Sequence, residues 1–126
     1  MLYVHIPFCK GKCIYCDFYS GGNPDWQKYL NALVNECSER IGEIDGSISS
    51  IYIGGGTPSL IPPRDFSDFI YRLKSLMKDN GIALSSRLEF TVEVNPEDVD
   101  SDHIEAWRGS GVNRISMGVQ SLIDSE

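Results

Sequence analysis

Positive charge is scarce in this chain: 11 Lys and Arg stand against 18 Asp and Glu, a formal net charge of −7. A protein that neutralises nucleic-acid phosphates needs the opposite balance, so nucleic acid is excluded as a main partner. No apolar run is long enough to cross a bilayer. No charged leader with a long apolar stretch and a cleavage site precedes the first β-branched segment, which predicts no signal peptide and a cytoplasmic protein. Low-complexity and repeated segments are absent as well. Cysteine is sparse, at four residues, yet three of them crowd together at Cys9, Cys13 and Cys16. Where thiols stay reduced, such a cluster more often binds metal than forms disulfides.

What remains is ordinary for a folded domain. Hydrophobic residues make up 41% and charged residues 23%, which excludes disorder. A length of 126 residues predicts one core. The pattern alternates strand and helix, with strands expected at 2–6, 50–53, 88–94 and 114–119. Trp26, Leu30, Leu33, Val34, Cys37 and Ile41 fall on one face of a first helix, with Asn23 as its N-cap and Pro24 in its first turn. Phe66, Phe69, Ile70, Leu73, Leu76 and Met77 mark a second, ended by Asn80-Gly81. A short third helix runs from Asp100 or Ser101 through Ile104 and Trp107 to Gly109 or Gly111. Strands separated by helices predict βαβ units, an α/β fold and a parallel sheet.

Alternate strand residues are apolar and should face the helices: Leu2, Val4 and Ile6; Ile51 and Ile53; Leu88, Phe90, Val92 and Val94; Ile115, Met117 and Val119. The other face carries Tyr3 and His5; Tyr52 and Gly54; Glu89, Thr91, Glu93 and Asn95; Ser116, Gly118 and Gln120. A parallel sheet covered on both faces would read as continuous apolar runs. This second face must therefore meet water or line something polar, because unpartnered buried polar groups cost on the order of 2–7 kcal/mol each.

Three motifs carry chemistry. In Cys9-x-x-x-Cys13-x-x-Cys16, three thiolates close in one loop can converge on an inorganic centre, and three ligands leave one iron of a four-iron cluster open to a small molecule. Lys10 and Lys12 could offset its negative charge, and Phe8, Tyr15 and Phe18 could exclude water. A zinc site completed by His5 and a disulfide stand as alternatives. Zinc is weakened by the lack of a second Cys pair, and a disulfide by the reducing compartment. Gly54-Gly55-Gly56 leaves strand two with no Cβ atoms, which permits close backbone approach or simply a tight turn. Glu93 and Gln120 sit at the C-terminal ends of strands three and four, where α/β sheets bind ligands. Cys37, Trp26 and Trp107 read as packing.

The run Leu2-Tyr3-Val4-His5-Ile6-Pro7-Phe8-Cys9 and its cysteine loop resembles the radical S-adenosylmethionine family. Within it, the similarity is to the oxygen-independent coproporphyrinogen III oxidase-like group and to its HemW-type members. Gly54-Gly55-Gly56-Thr57-Pro58-Ser59, Glu93-Val94-Asn95-Pro96-Glu97 and Ser116-Met117-Gly118-Val119-Gln120-Ser121 match family blocks in order. The resemblance implies a 4Fe–4S cluster on Cys9, Cys13 and Cys16, with S-adenosylmethionine on its open iron. Gly55, Gly56 and Thr57 would contact the methionine moiety, Glu93 and Gln120 would hydrogen-bond the cofactor, and Tyr3 and Tyr15 would also touch it. No catalytic side chain beyond the cluster ligands is implied.

The implied fold is a partial TIM barrel. Residues 1–126 are expected to be the N-terminal part of that core domain, stopping before the barrel is complete, with an open sheet edge through which copies could self-associate. Two functions follow. One is a HemW-type haem chaperone, working with haem or porphyrin and a reductant protein. The alternative is the oxidase that decarboxylates coproporphyrinogen III. The oxidases carry a further cysteine where this chain has Phe18, and an extension before the first strand, which favours the chaperone.

Overall fold

Alternation of Leu2, Val4 and Ile6 makes a strand with one apolar face, and it forms as β1, Leu2–Ile6, with Val4 and Ile6 buried and Tyr3 and His5 exposed. The structure is a computed structural model and describes residues 1–11, 14, 16–17, 20–22 and 24–119. Three more strands follow: β2 (Ser47–Gly55), β3 (Ala83–Val94) and β4 (Arg114–Met117). All pair in parallel, in chain order. Parallel neighbours need long crossovers. Here α1 (Trp26–Glu39), α2 (Pro63–Asp79) and α3 (Ser101–Gly109) supply them.

The register carries each face across the sheet. Tyr3 stands opposite Tyr52, Tyr52 opposite Thr91 and Thr91 opposite Arg114. On the other face Val4, Ile53, Val92 and Ile115 form the matching apolar row. One core lies on that side, where Val4, Ile6, Ile51, Ile53, Phe90 and Val92 meet Phe66, Phe69, Ile70, Leu73 and Met77 of α2. Leu30 of α1 and Trp107 of α3 close it. Helix α2 lies centrally, touching both α1 and α3. The expected α/β fold with a parallel sheet is therefore the one found.

Several boundaries differ from the sequence reading, each for a physical reason. Asp25 caps α1, its carboxylate accepting from the Lys28 N–H at 3.0 Å, while Asn23, expected as the cap, lies outside the described residues. Helix α1 stops at Glu39, and Ile41 opens a short 3-10 turn instead of extending the helix. Strands β2 and β3 begin earlier than expected, because Ser47 and Ile48 pair with Ala83 and Leu84 before the register shifts between Ile48 and Ser50. That irregularity and the polar Ser85-Ser86-Arg87 stretch hide the early pairing from any alternation count. Strand β4 ends at Met117, short of Val119. Ile115, Met117 and Val119 remain 45%, 48% and 57% exposed, because among the described residues no helix lies beyond the outer edge of β4.

Asn113 settles the entry to β4. Its side-chain carbonyl accepts from the Phe90 N–H at 2.8 Å and its amide donates to the Leu88 carbonyl at 2.7 Å, so one side chain stands in for a strand neighbour. Phe90→Ala, at a side chain with no exposure, should cost about 3–5 kcal/mol through the cavity it leaves. Asp25→Ala should cost about 1 kcal/mol as a lost cap. Tyr71→Ala, at a largely exposed position, should stay within about 0.5 kcal/mol. Urea denaturation of the three variants checks this ranking.

Candidate functional site

Parallel strands bring their C-terminal ends to one edge, so the segments leaving β1, β2 and β3 meet there. The pairing of β1 with β2 does not stop where the strands do. The Gly56 N–H donates to the Ile6 carbonyl at 2.7 Å, and the Thr57 N–H donates to the Phe8 carbonyl at 2.8 Å. The glycines make this approach possible. A Cβ on Gly56 would lie 2.6 Å from the Phe8 carbonyl oxygen and 2.8 Å from Cys9 Sγ. Gly55 has φ near +118°, and a Cβ there would meet the His5 ring at 2.8 Å. One on Gly54 would meet the Tyr52 ring at 2.7 Å and Glu93 Oε2 at 2.9 Å. Close approach, not a bare tight turn, is thus the role of the triplet, and the near neighbours are the chain's own cysteine loop and strands.

Glu93 is held on the polar face from two sides. Tyr52 donates its hydroxyl to Oε1 at 2.6 Å, and the Gly55 N–H donates to Oε2 at 2.9 Å. The adjacent carboxylate raises the Tyr52 phenol above its ordinary pKa, chiefly through that hydrogen bond and then through burial. Tyr3 stacks on Tyr52 with ring centres 6.0 Å apart, and its hydroxyl lies 2.9 Å from His5 Nδ1. Burial, then the Glu93 charge, raises the Tyr3 phenol too. Thr91, fully buried beside Tyr52 in the same row, receives a hydrogen bond from Arg114 Nη1 at 3.3 Å.

Of the residues read from sequence as a site, Gly55, Gly56, Thr57, Glu93 and Cys9 are brought to this end of the sheet, while Tyr3 shares the polar face but sits further back along the strands, level with Tyr52 and Thr91. Cys16 is half-buried in the loop. Cys13, Tyr15 and Gln120 lie outside the described residues, as do Lys12 and Phe18. Lys10 does not stand free as a counter-charge: its ammonium pairs with Asp98, in the 3-10 turn Pro96–Asp98. Phe8 turns to α1, edge-on to Tyr29 and Trp26 with ring centres 4.8 and 5.4 Å away. Tyr52, Ser59 and Asp98 are the contributors that sequence reasoning missed. Tyr52 was visible on the polar face and Ser59 within the glycine block, but nothing in the sequence pairs them with Glu93 and Asp98.

The donor set fits a thiolate-held centre. Cys9 and Cys16 are free thiols, half-buried, on one loop, and the space beside Cys9 Sγ is space that a Cβ on Gly56 would fill. Thiolate sulfur suits iron–sulfur clusters and zinc alike. Among the described residues no three His, Cys, Asp or Glu side chains converge as a metal site, Cys13 standing outside them. Cys37 belongs elsewhere. It packs on the core and lines a cavity of about 580 Å³ between β1 and α1, and burial raises its thiol pKa, so it stays protonated.

Residues 3–124 match the Radical SAM superfamily. A relative named Heme chaperone HemW, from Buchnera aphidicola subsp. Schizaphis graminum, is 36% identical over 96% of this chain and 32% of its own length. An Oxygen-independent coproporphyrinogen III oxidase from Bradyrhizobium diazoefficiens is also 36% identical, over 96% of this chain and 27% of its own. Among solved structures, the coproporphyrinogen III oxidase HemN of Escherichia coli superposes with a TM-score of 0.81 at 31% identity, covering 98% of this chain and 28% of that one. The chain spans about a third of the length of the curated relatives it matches.

The Tyr52 to Glu93 hydrogen bond generates a pH prediction. A phenol whose folded pKa is raised contributes stability that is whole below the unfolded pKa, about 10, and is lost as pH climbs through the folded value. Tyr52→Phe should lower stability at pH 7 by about 1 kcal/mol, the solvent-screened end of the range for a bond to a charged group. The gap between the two proteins should narrow above about pH 10, which urea titrations at several pH values would read.

Proposed function

Because the chain belongs to the radical SAM superfamily, we propose that Cys9, Cys13 and Cys16 hold a 4Fe–4S cluster and that the protein is a HemW-type haem chaperone of the cytoplasm. The cluster reading is supported by the Cys9 thiol standing against Gly56 where two loops pair. When bound, such a cluster supplies the electron for reductive cleavage of S-adenosylmethionine. The remaining work falls to the chain: holding the cofactor, orienting it and keeping water from it.

Tyr3, Tyr15, Gly55, Gly56, Thr57, Glu93 and Gln120 are the residues that hold S-adenosylmethionine in this reading. The N–H groups of Gly55, Gly56 and Thr57 are already spent within the fold. An ammonium only donates, so what this stretch offers the cofactor's amino group is carbonyl oxygen and the Thr57 hydroxyl. Glu93 has one hydrogen bond on each carboxylate oxygen and keeps a lone pair on each for a hydroxyl of the ligand. Its double anchorage orients it beforehand, which lowers the ordering cost of binding.

Phe18 is the observation that favours chaperone over oxidase, since the oxidases carry a further cysteine there. Haem or porphyrin and a reductant protein are the partners this function needs. Measurements on the full-length protein test it. After anaerobic reconstitution it should hold about four iron and four sulfide per chain. Its reduced electron paramagnetic resonance signal should change on adding S-adenosylmethionine, and Cys9→Ala, Cys13→Ala or Cys16→Ala should each abolish that signal. Zinc uptake in place of iron overturns the cluster. Haem should then bind stably while coproporphyrinogen is left unconverted; formation of vinyl product identifies the oxidase instead.

A further inference from the structure

The carboxylate of Asp98, in the turn after β3, is only 4% exposed. One of its oxygens takes the ammonium of Lys10, the residue after Cys9. The other accepts the Ser59 hydroxyl at 3.0 Å. Ser59, itself buried, in turn accepts the Asn95 N–H at 3.0 Å. One chain of contacts thus ties together the loops leaving β1, β2 and β3. A carboxylate so enclosed is expensive unless it is paired. Among the described residues, Lys10 is the cation it pairs with.

We infer that Asp98 is a positioning residue for the cysteine loop, acting through Lys10: the ion pair clamps the limb that carries Cys9 onto the 3-10 turn after β3 and holds it in register with the glycine triplet. The inference rests on the reading of Cys9 as a cluster ligand for its consequence, though not for its geometry. Lys10 is 60% exposed, so its replacement removes the clamp without opening the core. Asp98 has a second task, receiving Ser59, and its replacement alone would not separate the two roles.

The test compares Lys10→Met, Asp98→Asn, the double variant and Lys10→Arg in the full-length protein. In the apoprotein, amide exchange of Gly56 and Thr57, which donate to the cysteine limb, should quicken about fivefold in each single variant, while the Val92 amide in β3 keeps its rate. The double variant should be no faster than Asp98→Asn alone, because Lys10→Met removes a contact that Asp98→Asn has already removed. Lys10→Arg should retain the wild-type rate. In reconstituted protein, loss of iron to a ferrous chelator should follow the same order. Unchanged exchange in Lys10→Met overturns the clamp, whatever Asp98→Asn does. So does a double variant that is additively worse. Should the wild-type protein take up no iron, the cluster reading falls, while the exchange rates still judge the clamp.

Discussion

Two backbone hydrogen bonds beyond the ends of β1 and β2 set the geometry of everything that follows. Sheet pairing ordinarily ends where side chains force the strands apart. Here it continues, with Gly56 and Thr57 donating to Ile6 and Phe8, because the position abutting Cys9 has no side chain. A methyl group on Gly56 would sit within 3 Å of three atoms, two of them backbone carbonyl oxygens. Backbone cannot rotate out of the way as a side-chain tip can, so the loops would have to separate. The register set by Val4 opposite Ile53 is thereby transmitted to Cys9, a residue outside any strand.

The fold separates stability from chemistry by the two faces of one sheet. The aliphatic face, under α2, carries the large buried side chains and with them most of the burial that opposes chain entropy. The polar face has no described helix upon it, so its side chains find partners among themselves. Tyr52 and Gly55 hold Glu93, Arg114 covers Thr91, and Tyr3 meets His5. Among the described residues no buried side-chain polar atom lacks a partner. Such a network is stiff without being apolar, and stiffness in a polar surface is what recognition of a polar ligand requires.

Period and punctuation made much of this legible. Strand β1 lies where its alternation put it, and α2 spans its apolar stripe because Pro63 can begin a helix and Gly81, at φ near +73°, can end one. The early limbs of β2 and β3 were not legible, since a register shift breaks the twofold period that announces a strand. At β4 the alternation gave the right orientation but not burial, which depends on what lies opposite, and period says nothing of that. The site divides in the same way. Cys9, Gly55, Gly56, Thr57 and Glu93 announce themselves by spacing or by block. Tyr52 with Glu93 and Ser59 with Asp98 are pairs separated by 41 and 39 positions, and no local pattern records such a pairing.

Those long-range pairs do what the glycine triplet cannot. A glycine triplet alone would let β1 and β2 approach, but it would not fix β3 relative to them at the level of the loops. Glu93 does so on the sheet, by reaching back from β3 to the Gly55 N–H. Ser59 and Asp98 do so one layer further out, across the segments that follow β2 and β3. Gly55 at positive φ needs that support. The turn which frees its N–H from the strand ladder would otherwise leave a donor unpaired at the edge of the site, and Glu93 receives it. The carboxylate is thus oriented by the same backbone irregularity that admits the cysteine loop, and moving either one would unseat the other.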